Sequence, residues 1–201
     1  GGDINLTAQQ RTDEAVDGSL TGGGIYQQIN PDTGVIASVF NFAKIGHFSI
    51  EDESRNTGSG AGVQNASQSG DITVVVNRDL TLQGGTTPDV DQQTIYGAFV
   101  QIGHGGPGIS GDVEGNVTVL VRRNTTVNTG SEIDGSSATT LSLNNYAMIG
   151  NGDYIKDSVN SAASLFRQEA QGVRSGNVVI ASGNHATFNG ALVGHADDAV
   201  S

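Results

Sequence analysis

A glycine, then an acidic or amide residue, then apolar residues at every second position: this pattern recurs four times, more or less worn, and restricts the fold more than any other feature of the chain. The anchors are Gly2-Asp3, Gly70-Asp71, Gly115-Asn116 and Gly176-Asn177. Two residues beyond each Gly stand Ile4, Ile72, Val117 and Val178, followed at the next alternate positions by Leu6, Val74, Val119 and Ile180, and then by Ala8, Val76, Val121 and Ser182. A period of two marks a strand with one buried face.

A second strand follows in register in three of the units, at Leu80 and Leu82, Thr125 and Val127, and Ala186 and Phe188. The corners between are Asn77-Arg78-Asp79, Arg122-Arg123-Asn124 and Gly183-Asn184-His185. In the first unit the second strand is expected at 19–22. A third strand closes each unit on Ile45-Gly46-His47, Ile102-Gly103-His104, Ile149-Gly150-Asn151 or Val193-Gly194-His195. The fourth unit runs from its second strand straight into its third. The others carry inserts at that point, including 85–95 and 131–144, and in the first unit a turn at Asn30-Pro31-Asp32-Thr33-Gly34 predicts a hairpin of 25–29 against 35–39. Asp157-Ser158 is placed to cap a short helix over 157–171, with Val159, Ala163, Phe166 and Ala170 on one face.

Short strands with one apolar face each make no core alone. They make one when each unit is a turn of a coil and equivalent residues stack about 4.8 Å apart. The fold class expected is all-β: a right-handed parallel β-helix of about four irregular turns, three strands per turn, forming one domain over 1–201 with turns near 1–68, 69–113, 114–174 and 175–201. One stacking ladder would be Ile4, Ile72, Val117 and Val178. Another would be Ile45, Ile102, Ile149 and Val193. Composition agrees, with 30 Gly for corners and no Cys to supply a disulfide framework.

The runs GDITVVVNRDLTLQGG with FVQIGHGG, and NVTVLVRRNTTV with YAMIGNGD, resemble the repeats of filamentous-haemagglutinin-type and autotransporter-like giant adhesins of Gram-negative bacteria. The likeness covers nearly the whole chain outside the inserts. It implies a right-handed β-helix, extracellular or at the cell surface, used for adhesion or as a stalk. The secretion domain and translocator of such proteins are not in this sequence.

The chain has 9 Lys+Arg against 21 Asp+Glu, a net charge of −12. That balance argues against nucleic acid, which needs clustered cations. The segment Gly194-His195-Ala196-Asp197-Asp198-Ala199-Val200-Ser201 reads as the lead-in to another unit, and joining Ser201 to Gly1 would continue the pattern. The expected partner is therefore self, as a head-to-tail homopolymer or as adjacent tandem repeats. The interface would use Asp3, Ile4 and Leu6 at one end and Val178, Ile180, Phe188 and Val193 at the other. A second reading has the inserts 85–95 and 131–144 recognising a glycan or cell surface.

His47, His104 and His195 share one repeat position, interrupted by Asn151. A transition-metal site or a row of polar turn residues would each use them. Phe42, Phe99 and Tyr146 also share a position, either as a surface stripe or beneath the inserts. Glu51, Asp52 and Glu53, with Asp197 and Asp198, are candidate Ca²⁺ ligands; no other cofactor is expected. No catalytic set is recognisable. Asp89 and Asp91 sit together in one insert without a partner set, and the glycines lead into no phosphate loop, so an enzyme, polysaccharide-active or otherwise, is not expected.

Overall fold

The computed structural model describes residues 2–7, 24–29, 36–47, 67–85, 95–105, 111–130, 145–152 and 172–195. The described elements are all strands. The first set is β1 (Ile4–Thr7), β2 (Gly24–Ile29) and β3 (Ile36–Ile45). The second is β4 (Gln68–Ser69), β5 (Ile72–Val76), β6 (Leu80–Gln83) and β7 (Ile95–Ile102). The third is β8 (Val113–Glu114), β9 (Val117–Val121), β10 (Thr125–Asn128) and β11 (Ala147–Ile149). The last is β12 (Arg174–Ser175), β13 (Val178–Ser182), β14 (Ala186–Asn189) and β15 (Leu192–Val193).

Strands of successive sets pair in parallel and in register. Sheet A runs β1-β6-β10-β14, sheet B β2-β3-β7-β11-β15, sheet C β4-β8-β12 and sheet D β5-β9-β13. The arrangement is a parallel β-solenoid. Each of the last three turns has the three strands expected, plus a two-residue strand just ahead of its Gly corner. Those short strands straddle the expected turn boundaries at 68/69, 113/114 and 174/175.

The core forms because inward columns repeat. Ile72, Val117 and Val178 stack in sheet D, as do Val74, Val119 and Ile180. Ile45, Ile102, Ile149 and Val193 stack in sheet B. Leu80, Leu82, Val127, Val100 and Ala147 are buried in one cluster with Ile72, Val74, Val117, Val119, Ile102 and Ile149. Burying a Leu or Val side chain contributes about 1.5–3 kcal/mol against leaving it in water, and the columns supply such residues rung after rung.

The first strand corrects the expected alignment. Ile4 does not lie beneath Ile72. It pairs with Leu80, and Leu6 with Leu82, so β1 belongs to sheet A. Asp3-Ile4-Asn5-Leu6 resembles Asp71-Ile72-Thr73-Val74 and Asp79-Leu80-Thr81-Leu82 equally well as a local pattern. The contacts between rungs decide: Ile4 N donates to Asp79 O at 3.0 Å, and Asp79 N donates to Asp3 Oδ1 at 3.1 Å. Among the described residues, the column of Ile72, Val117 and Val178 therefore starts at β5.

The two strands of the expected hairpin pair, with Ile25 opposite Asn41 rather than Val39, and its turn at 30–34 lies outside the described residues. β2 pairs antiparallel with β3 from Gly24↔Phe42 to Ile29↔Ile36, with an irregularity between Gln28 and Ile29. β3 then runs on in parallel with β7, from Ser38↔Ile95 to Ile45↔Ile102. The strand expected at 19–22 and the helix expected at 157–171 lie outside the described residues.

Candidate functional site

The residues that distinguish this coil stand at its corners and on its last rung. The corners leading into sheets D and A carry a ladder of short polar side chains. Asp71 Oδ1 accepts from Asn116 N at 2.8 Å and from Asn116 Nδ2 at 3.0 Å. Asn116 Oδ1 accepts in turn from Asn177 N and Nδ2, at 3.0 and 3.1 Å. Asp79 Oδ1 accepts from Asn124 N and Nδ2, at 3.0 and 2.8 Å. The corners at Asp71, Asn116 and Asp79 thus each offer one oxygen to the rung that follows, and an Asn above supplies both donors. Asp79 above Asp3 places two carboxylates in succession. Arg78 and Arg123 offset this, with Arg78 Nε 3.3 Å from Asp3 Oδ1 and Arg123 Nη1 3.7 Å from Asp79 Oδ2. At the far end of sheet A the amides of Gln83, Asn128 and Asn189 link in the same way.

The corner after sheet B uses the opposite polarity. His47 N donates to His104 Nδ1 at 3.0 Å, His104 N to Asn151 Oδ1 at 3.0 Å, and Asn151 N to His195 Nδ1 at 3.2 Å. The other face of each side chain reaches across the coil. His104 Nε2 lies 2.8 Å from Gly70 O, Asn151 Nδ2 donates to Gly115 O at 2.7 Å, and His195 Nε2 lies 3.1 Å from Gly176 O. One side chain therefore joins the end of a turn to its beginning and also holds the turn below. The ring of His47 lies against that of His104 at 4.7 Å. Burial pushes the pKa of His104 down; repulsion from His47 and Lys44 adds to this, and the bond to Gly70 O opposes it. Among the described residues no three His, Asp or Glu gather as a metal site.

Two outward-facing columns of sheet B are covered. Phe42, Phe99 and Tyr146 stack nearly parallel, with ring centroids 5.6 and 4.8 Å apart, and Phe99 and Tyr146 are buried rather than forming a surface stripe. Beside them stands Gln101, fully buried, which the sequence reading did not single out. Its Nε2 donates to Gly150 O at 3.0 Å and Gly152 O at 3.1 Å on the next rung, and its Oε1 accepts from Lys44 Nζ. A lone Gln on an alternating strand looks like a solvated outer residue, and only the neighbouring corner explains it.

The last rung is different. Phe188 is 40 % exposed and Val193 53 %, whereas Val127 and Ile149, one rung below in the same columns, are wholly buried. The other residues expected at the ends separate by sheet. Asp3, Ile4 and Leu6 mark the N-terminal side of sheet A, while Val178 and Ile180 lie on the C-terminal strand of sheet D. By register Ile4 stands in the column of Ala186, and Leu6 in that of Phe188. Val75, Leu120 and Val179 project as exposed apolar residues from the outer face of sheet D. Glu51, Asp52, Glu53, Asp197 and Asp198 lie outside the described residues, as do Asp89, Asp91 and nearly all of the inserts 85–95 and 131–144.

The class of protein defined by these sheets and corners is the parallel β-solenoid. No protein-family model, no curated protein and no solved structure matches the chain.

Proposed function

We propose that this chain is a structural module of an extracellular bacterial fibre or giant surface adhesin. Its right-handed coil is continued at the C-terminal face by further turns, from tandem repeats or from a neighbouring copy. The observation that carries this reading is the last rung: its inward columns end on the exposed Phe188 and Val193, in register with columns that are fully buried one rung below. A further parallel rung would remove that apolar surface from water and pair the edges of four sheets. The corner ladders support the same polarity, since the Asp71 and Asn116 oxygens at the entry to sheet D are each taken by the following rung.

Among the described residues, sheets A and B contribute four parallel rungs and sheets C and D three.

The test is light scattering and electron microscopy of the 201-residue chain alone and fused to a second copy. Rod-like particles that lengthen with copy number are expected. Two globular, independently tumbling units in the fusion, with a strictly monomeric single chain at high concentration, would overturn the reading.

A further inference from the structure

We propose that His104 is an acid-sensitive clasp: neutral, it closes the second turn of the coil, and protonated, it opens that corner. The inference concerns a single turn and does not depend on what the coil is joined to.

The hydrogen bonds assign the state of the ring. His47 N–H is a donor and can only point at an unprotonated Nδ1. Gly70 O is an acceptor and can only receive a proton from Nε2. His104 is therefore the neutral Nε2–H tautomer, bonded on both sides and almost wholly buried. A proton added at Nδ1 turns the acceptor into a donor facing another donor, so the bond to His47 N–H must break.

Among the described residues, the neighbours give the added charge no relief. The described titratable groups facing it are the His47 ring and Lys44, both on the rung below and both positive when protonated. From above comes Asn151 Oδ1, which is occupied by the backbone N–H of His104. From the start of the same turn comes Gly70 O, already bonded to Nε2.

The next rung shows the non-titrating version of the same clasp. Asn151 accepts from His104 N–H through Oδ1 and donates to Gly115 O through Nδ2. Asn has the same acceptor and donor at every pH, so these two side-chain bonds persist in acid.

The sign follows from linkage. The folded-state pKa of His104 is lowered by burial below the usual value of about 6.5. As pH falls through that value the unfolded chain takes up a proton first. The stability that His104 contributes is thus present above about pH 6.5 and is lost as pH falls toward the folded-state pKa.

The experiment is NMR of the whole chain between pH 8 and pH 5. At neutral pH the ring nitrogens of His104 should show the Nε2–H tautomer. Hydrogen-exchange protection of the His47 amide, corrected for intrinsic exchange, should fall on acidification by up to about tenfold per pH unit. The His104 amide, held by Asn151, is the internal control and should fall less. His104→Asn should flatten the acid loss at His47, and Asn151→His should bring it to the His104 amide. The Nδ1–H tautomer at neutral pH, protection of the His47 amide that ignores pH, or an unchanged acid loss in His104→Asn would each overturn the proposal. Should a variant fail to fold, the tautomer and the exchange profile of the unaltered chain still decide.

Discussion

At the scale of single residues, the corners tolerate little. Gly103 and Gly150 have φ of 153° and 147°, and a Cβ built on Gly103 would lie 1.7 Å from Gly150 O. Gly194 occupies the same position on the last rung, with φ 120° and nothing within 4 Å of its Cβ direction. Gly103→Ala must therefore strain the backbone and also push two rungs apart, whereas Gly194→Ala meets only the conformational cost of about 1–3 kcal/mol. In thermal unfolding the first should lose clearly more stability than the second; equal losses would refute the stacking of these corners. The Asn ladder gives a second expectation. Asn116→Asp keeps the oxygen that Asn177 uses but loses the Nδ2 donor and sets a carboxylate over Asp71. Near the surface this should cost about 1 kcal/mol at low salt and less at high salt, read from urea midpoints at two ionic strengths.

At the scale of strands, burial and not local propensity ranks the positions. Leu82 is fully buried between Leu6 and Val127 in sheet A. Leu82→Ala should cost about 2–5 kcal/mol, the range for emptying a packed leucine site. Phe188 stands at the end of that column with one side toward water, so Phe188→Ala in the single chain should cost well under what burial of a phenylalanine would imply. Equal urea midpoints for the two variants would contradict the column order. The long strands β3 and β7 show a second element-scale effect: their C-terminal parts build rungs of the coil, while Ile36–Phe42 of β3 pairs with β2.

At the scale of the whole molecule, stability is a sum over neighbouring rungs, and the last rung has the least. The Phe188→Ala loss should therefore grow when the coil is lengthened by fusion at its C-terminal side. Much of this architecture was legible in the residues themselves. Alternation at Ile72–Val76, Leu80–Leu82 and Val117–Val121, with Gly and Asn at fixed spacing, is a local property, because a strand with one wet face must alternate wherever it lies. The columns through Ile102 and Ile149 followed from repetition alone. The place of β1 did not, because Asp-Ile-x-Leu satisfies two columns equally and only the bonds from Ile4 and Asp3 to Asp79 choose between them. Gln101 and the histidines were legible as positions but not as roles. What a buried amide or imidazole bonds to is set by backbone groups on another rung, 34 to 51 residues away in the chain for His104 with Gly70 and Gln101 with Gly152. The sequence by itself determined the strands, the corners and the repeat. Tertiary structure alone decided which strand stacks on which, and which donor meets which acceptor, because hydrogen bonds across a coil join residues that no local pattern connects.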